Sequence, residues 1–234
     1  MSITTVGLDA DDTLWHNETI FRLTHDRFCD LLSDVADKDV LEQRLAEVEK
    51  RNLRLYGYGV KGFTLSMIET AVEVTEGRVP GAVIADLIAL GRNLLEHPME
   101  LLPQVRATVT ALAADYRLVL ITKGDLLHQE KKLAQSGLGD LFDGVEIVSD
   151  KTEATYRTAF ARHGTGADQA MMVGNSLKSD VIPALEAGSW GVYVPQEHEW
   201  AYEAAEAPVA HRRFHAITDL GDLPALVDRL AKTP

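Results

Sequence analysis

From Pro103 onward, short apolar runs alternate with amphipathic stretches, and this alternation restricts the fold more than any other feature of the chain. Leu118–Ile121, Val145–Val148, Ala170–Val173 and Gly191–Val194 are too short for helices and largely apolar. Between and around them, Pro103–Tyr116, Leu126–Ser136, Thr152–His163 and Lys178–Ala187 carry helical spacing. Gly137, Gly164 and Gly188 stand where those helices should stop. Such alternation predicts an α/β fold: a doubly wound parallel sheet with helices on both faces. The apolar run Thr4–Leu8 joins the same sheet as its first strand. A long loop over Gln196–Arg213, a late strand near Phe214–Ile217 and a last helix near Leu223–Ala231 complete the reading.

The stretch between the first two strands has a different rhythm. Phe21, Phe28, Leu31 and Leu32 share a helical face, as do Leu41, Leu45 and Val48 in the next segment. Leu65, Ile68 and Val72 form a third face, and Val83, Leu87, Leu90 and Leu94 a fourth, with Pro80 suited to a first turn. Four such helices read as a small bundle. Residues 1–15 and 97–234 are therefore expected to form the α/β core domain, and residues 16–96 an inserted α-helical domain.

The size and charge of the chain exclude some functions. A chain of 234 residues with 46% hydrophobic content can bury a real core. The net charge of −13 and the lack of a basic patch longer than His211-Arg212-Arg213 argue against nucleic acid as a partner. No apolar stretch reaches the roughly 18 residues of a membrane span. The single cysteine, Cys29, suits a reducing compartment, and the expected location is the cytoplasm. Oligomeric state has no readable signature.

The polar residues of interest fall at strand ends, where parallel sheets bind ligands. The first strand stops on Asp9 and Asp11. Two carboxylates so close suit a divalent cation or a nucleophile, although Asp and Thr are also ordinary turn and cap residues. The second strand ends in Thr122-Lys123-Gly124, and Ser149-Asp150-Lys151 follows the third. The fourth ends in Gly174-Asn175-Ser176, with Asp180 further on. Each has a bland reading: Thr122 as a helix cap, Lys151 as a surface lysine, Asp180 as a first-turn carboxylate. Four ends all carrying phosphate or metal chemistry are hard to explain that way.

In this order the set resembles the haloacid dehalogenase-like hydrolase superfamily. Asp9 through Leu14 matches its Asp-x-Asp-x-Thr-Leu motif, and Thr122 its second-strand Ser or Thr. Lys151 matches its lysine before a helix, and Gly174-Asn175 with Asp180 its last acidic motif. The resemblance implies sheet order 5-4-1-2-3, with the helical insertion as a cap that selects the leaving group. It also implies a Mg2+-dependent hydrolase of a small phosphorylated metabolite. Asp9 would form an aspartyl-phosphate, and Asp11 would serve as acid and then base. Asp9, the Asp11 carbonyl and Asp180 would hold the metal. Thr122, Lys123 and Lys151 would bind phosphate, aided by backbone N–H groups of Ala10, Asp11, Lys123 and Gly124. Phosphomutase, phosphonatase and 2-haloacid dehalogenase activities occur on the same fold, and a non-catalytic phosphometabolite-binding protein is a further alternative. Asp11 argues against the dehalogenase, which has no leaving oxygen to protonate.

Three positions depart from the family pattern. Asp12 stands where Gly is commonest, Lys123 where Asn is common, and Asn175 replaces an acid. Asn keeps an acceptor but loses a charge, so Asn175 is expected behind the metal, on a bound water. Gly57-Tyr58-Gly59-Val60-Lys61-Gly62 fits Gly-x-Gly-x-x-Gly, but no strand precedes it, so a loop between helices is expected. Arg54, Tyr56, Tyr58, Lys61 and Phe63 are candidate leaving-group contacts. His25 and Cys29, at i and i+4, read as packing rather than metal ligands.

Overall fold

The structure is a computed structural model, and it describes residues 3–196, 200 and 203–231. Part of the loop read over Gln196–Arg213 (residues 197–199 and 201–202) lies outside the described residues. The chain divides into two compact units: Met1–Glu18 with Met99–Lys123 and Gln129–Pro234, and Thr19–Pro98 with Gly124–His128.

The first unit is built on a six-stranded sheet. Its strands are β1 (Thr5–Leu8), β2 (Arg117–Lys123), β3 (Gly144–Val148), β4 (Ala170–Gly174), β5 (Trp190–Tyr193) and β6 (Phe214–Ala216). Their order is β3-β2-β1-β4-β5-β6, and every pairing is parallel. The expected order of the first five strands is borne out, with β6 added at the edge. Leu8 pairs with Leu120 on one side and Val173 on the other. The chain goes one way from β1 to β2 and the other way to β4, so their carboxyl ends form a crevice where the order reverses.

Side chains alternate across each strand, and both faces are buried. Val6, Leu8, Leu118, Leu120, Met171 and Val173 pack with α5 (Val105–Ala113) and α9 (Leu223–Ala231). Val119, Ile121, Ala170 and Met172 pack with Tyr156 and Phe160 of α7 (Glu153–His163) and Ala184 of α8 (Ile182–Glu186). Gly7 faces this second layer, where a Cβ would come within 3.0 Å of Met172 Sδ and the Phe160 ring. Its lack of a side chain lets α7 press against the middle of the sheet.

The helix read over Lys178–Ala187 is broken in two. A π-helical turn over Leu177–Val181 precedes α8. Ser176 caps the turn by accepting from Ser179 N, and Pro183 brings no N–H to the start of α8. Wide turns of this kind are common at functional sites, and this one carries Asp180.

The second unit contains α1 (Glu18–Leu31), α2 (Lys38–Tyr56), α3 (Val60–Val74) and α4 (Gly81–Glu96), apart from Glu18 at its boundary. Phe28, Leu41, Leu45, Phe63, Met67 and Leu87 are buried in its core. The first half of the glycine-rich motif is the turn from α2 into α3, as expected, with Gly57 and Gly59 at φ of 73° and 119°, whereas Val60, Lys61 and Gly62 already belong to α3. His25 stacks on Phe63, with ring centroids 5.1 Å apart. Lys61 pairs with Asp125 at 3.2 Å and is largely exposed. No helix among the described residues is long and apolar enough to cross a membrane.

Candidate active site

The end of β1 runs straight into a tight loop. Asp9 N still donates to Val173 O on β4, while Leu14 N donates back to Ala10 O. Asp12 takes the left-handed conformation, with φ 58°, where Asp is among the residues best tolerated. Its carboxylate accepts from the backbone N–H groups of Asn17 and Glu18 at 2.9 Å each, tying the loop to the start of α1. The residue that replaces the commoner glycine thus supplies a cap.

Asp9 is held from both sides. Thr13 Oγ1 donates to its Oδ2 at 2.9 Å. The Lys151 ammonium donates to Asp9 Oδ1 and, at 2.7 Å, to Asp180 Oδ1. Lys151 reaches this position from the loop between β3 and α7. The other Asp180 oxygen accepts from Ser176 N at 2.9 Å. Gly174 makes room for it, since a Cβ there would lie 2.2 Å from Asp180 Oδ2. With its amide nitrogen turned toward its acceptors, Asn175 lies 3.2 Å from each of Thr13 Oγ1, Asp9 Oδ2 and Asp11 O.

One ammonium therefore faces two buried carboxylates. Burial pushes Asp9 up to about 7 against the pull of Lys151, with Asp180 and Asp11 adding to the rise. Lys151 goes the other way: burial would lower it, but Asp180 and Asp9 more than offset this and hold it charged.

Asp11 has different partners. Trp15 Nε1 donates to its Oδ1 at 2.6 Å, Lys132 Nζ to the same oxygen at 2.5 Å, and Gln129 Nε2 to Oδ2 at 3.0 Å. Burial alone would raise this carboxyl, but the Lys132 ammonium and the three donors outweigh it. The net effect holds Asp11 below the usual carboxylate range.

Thr122, at the end of β2, is buried, and its Oγ1 accepts from Gln129 Nε2 at 2.7 Å. Lys123 Nζ donates to Glu203 Oε1 at 2.7 Å and to Ser179 Oγ at 2.8 Å. Ser176 Oγ donates to the other Glu203 oxygen at 2.6 Å. The structure thus brings Asp9, Asp180, Lys151 and Asn175 together. Asp11 sits in its own nest of donors, and Lys123 is engaged by Glu203.

Sequence reasoning missed Gln129, Lys132, Trp15 and Glu203. Trp15 and Glu203 carry no sequence signal, but α6 (Leu126–Ser136), which holds Gln129 and Lys132, does. Its buried residues are Gln129, Lys132 and Ser136, at helical spacing, while Leu126 and Leu127 are exposed. A polar stripe is the face that turns inward.

The oxygen donors suit magnesium. Asp9, Asp180 and the Asp11 carbonyl offer hard oxygen donors, and magnesium is typically held by one or two carboxylates, with water and substrate phosphate completing its shell. Two carboxylates against one Lys151 also leave negative charge for a cation to offset. Among the described residues, no three His, Cys, Asp or Glu side chains gather as a denser metal cluster.

A model of the haloacid dehalogenase-like hydrolase family matches residues 3–188. A haloacid dehalogenase-like family hydrolase from Xanthomonas campestris has a similar crystal structure, with 44% identity and a TM-score of 0.88 over 98% of this chain and 92% of that one. Mouse N-acylneuraminate-9-phosphatase is 24% identical over 170 residues, 69% of this chain and 66% of its own length. Ribulose-1,5-bisphosphate 5-phosphatase from Halopiger xanaduensis is 30% identical over 157 residues, 63% of this chain and 65% of its own. The chain thus spans just under two-thirds of the length of these two curated relatives. The strand-end motifs, the parallel sheet and the family match lead to one conclusion: the chain belongs to the haloacid dehalogenase-like hydrolases.

Proposed function

We propose that this chain hydrolyses the phosphomonoester of a small metabolite through an aspartyl-phosphate on Asp9, in a reducing, cytoplasmic compartment. The observation that carries the reading is the Asp9 carboxylate at the β1 end, fixed by Thr13 and Lys151, with a second carboxylate two residues on. The curated relatives support it, since they are phosphatases of small phosphorylated compounds. Their different substrates leave the leaving group open.

In the first step an Asp9 oxygen attacks phosphorus, the bond to the leaving oxygen breaks, and that oxygen takes up a proton. In the second, water attacks the phosphorus of the aspartyl-phosphate, gives up a proton and releases inorganic phosphate with a free Asp9. Asp11 handles the proton in both steps. The proton that Asp11 takes from the attacking water is the one it gives to the leaving oxygen of the next ester, so the two steps balance over a cycle. Lys151 and Thr122 hold the phosphoryl oxygens, while Lys123 stays with Glu203. Asp9, the Asp11 carbonyl and Asp180 would hold Mg2+, with Asn175 behind them. The metal supplies charge that screens the nucleophile from the anionic substrate. The α/β unit is the catalytic domain on this reading, and the helical unit is its cap.

Asp11 weighs against haloacid dehalogenation, in which no leaving oxygen needs a proton. Phosphate release from a panel of sugar, sugar-acid and aryl phosphates, with and without Mg2+, tests the reading alongside halide release from 2-chloropropionate. Metal-dependent phosphate release that is lost in Asp9→Asn is the expected result. Halide release without phosphate release overturns it.

A further inference from the structure

Lys132 and Gln129 lie on the inward face of α6, outside every motif that marks this family's site. Lys132 is buried, and its ammonium meets Asp11 Oδ1 at 2.5 Å and Asn17 Oδ1 at 3.3 Å. Its stem passes Trp15, with the ammonium 6.0 Å from the ring centre. Gln129 uses one amide nitrogen for three acceptors: Asp11 Oδ2, Thr122 Oγ1 and Lys123 O. A buried lysine is costly unless paired, and here its ionic partner is Asp11.

We propose that Lys132 is a positioning residue for the reaction: it pins the Asp11 carboxylate to α6 and to Trp15, and so sets where the proton-transferring group sits relative to Asp9. Gln129 completes the grip and links it to Thr122, the phosphate-side residue of β2. Asp9 and Asp11 are like charges two residues apart, and each has its own lysine, Lys151 for one and Lys132 for the other. Removing Lys132 leaves Asp11 without its cation, held only by the neutral donors Trp15 and Gln129. Proton transfer is sensitive to small displacements of such a carboxylate.

The kinetic part of this inference rests on the phosphatase reading above, and the positional part does not. Lys132→Met is expected to lower kcat about 10- to 100-fold, in the range of lost acid–base efficiency, with KM changed less than about 3-fold. Lys132→Arg is expected to recover most of kcat. In an Asp11→Asn background, Lys132→Met is expected to have less than about a 2-fold further effect, as for residues acting as one unit. An equal loss in both backgrounds, or an unchanged kcat, overturns the proposal.

The Trp15 indole N–H donates to Asp11, so its NMR resonance, assigned with Trp15→Phe, reports the carboxylate directly. It should shift in Lys132→Met and stay in Lys132→Arg, whether or not any ester is turned over. An indole resonance unmoved by Lys132→Met overturns the positional claim. A shifted resonance in a protein that releases no phosphate supports the clamp and counts against the phosphatase reading alone.

Discussion

Lys151 Nζ lies 2.7 Å from Asp180 Oδ1, with both side chains buried and Asp9 on the other side of the ammonium. One cation therefore binds the third strand-end motif to the first and the fourth. Lys151→Met would leave two buried carboxylates without a charge partner. The expected cost is about 3–5 kcal/mol, read as a fall in the urea midpoint in EDTA. Added Mg2+ should recover part of that loss. Turnover should fall by about 10²–10³, as for the loss of one preorganised donor. A variant as stable as wild type in EDTA would contradict this account of the charge balance.

Gly174 is the second point at which the site depends on a close approach. Its Cβ would lie 2.4 Å from Asp180 Cγ and 2.2 Å from Oδ2. Gly174→Ala must displace a side chain that Lys151 and Ser176 hold in place. We expect a folded protein with a weaker response to Mg2+, measured as a higher metal concentration for half-maximal turnover. Unchanged metal dependence would show that Asp180 has room to move.

Much of this arrangement was legible before the structure. The strands are short and apolar and stop on polar residues, so their ends, and Asp9, Thr122, Lys151, Asn175 and Asp180 with them, could be placed from the sequence. The four helices of the second unit, α1 to α4, followed from apolar spacing. The partners of Asp11 did not, because hydrophobic periodicity reports only apolar faces. In α6 the residues that turn inward are Gln129 and Lys132, while Leu126 and Leu127 face outward. Lys132 follows Lys131 and reads as half of a solvated pair. Glu203 lies in a stretch with no period, and only the fold brings it to Lys123. The π-helical turn at Leu177–Val181 looks like ordinary helix in the sequence, because a single wide turn leaves the spacing of apolar residues almost unchanged.

Asp12 combines a left-handed backbone with a cap for α1, and substitution separates the two. Asp12→Gly keeps the conformation and loses the carboxylate, at an expected cost of about 0.5–1 kcal/mol. Asp12→Ala loses both and should cost about 1–2 kcal/mol more, since a Cβ without a polar group is strained at φ 58°. Chemical denaturation of the pair checks the order. Equal stability of the two variants would refute the backbone part of the argument.

His25 makes the helical unit sensitive to acid. Burial lowers its pKa from the ordinary 6.5, against the opposing pull of Glu42 and Asp26, and its ring stacks on Phe63. The neutral form is the folded one. Below about pH 6.5 the unfolded chain binds this proton more readily, so the contribution of His25 to stability is fully present above that pH and is lost as pH drops. Taking the pH from 7.5 to 5.5 should therefore cost wild type more, read as the urea midpoint, than it costs His25→Gln. A slope unchanged in His25→Gln would assign the acid sensitivity elsewhere, with half-buried His215, also lowered by burial, the next residue to replace.

On the proposed mechanism, Asp9 carries the phosphoryl group. Acid quenching during turnover of the best ester, followed by peptide mass spectrometry, tests it most directly. One phosphoryl group is expected on the peptide containing Asp9, accumulating when Asp11→Asn slows hydrolysis of the intermediate and missing from Asp9→Asn. Turnover at wild-type rate by Asp9→Asn, or a phosphoryl group on any other residue, would contradict it.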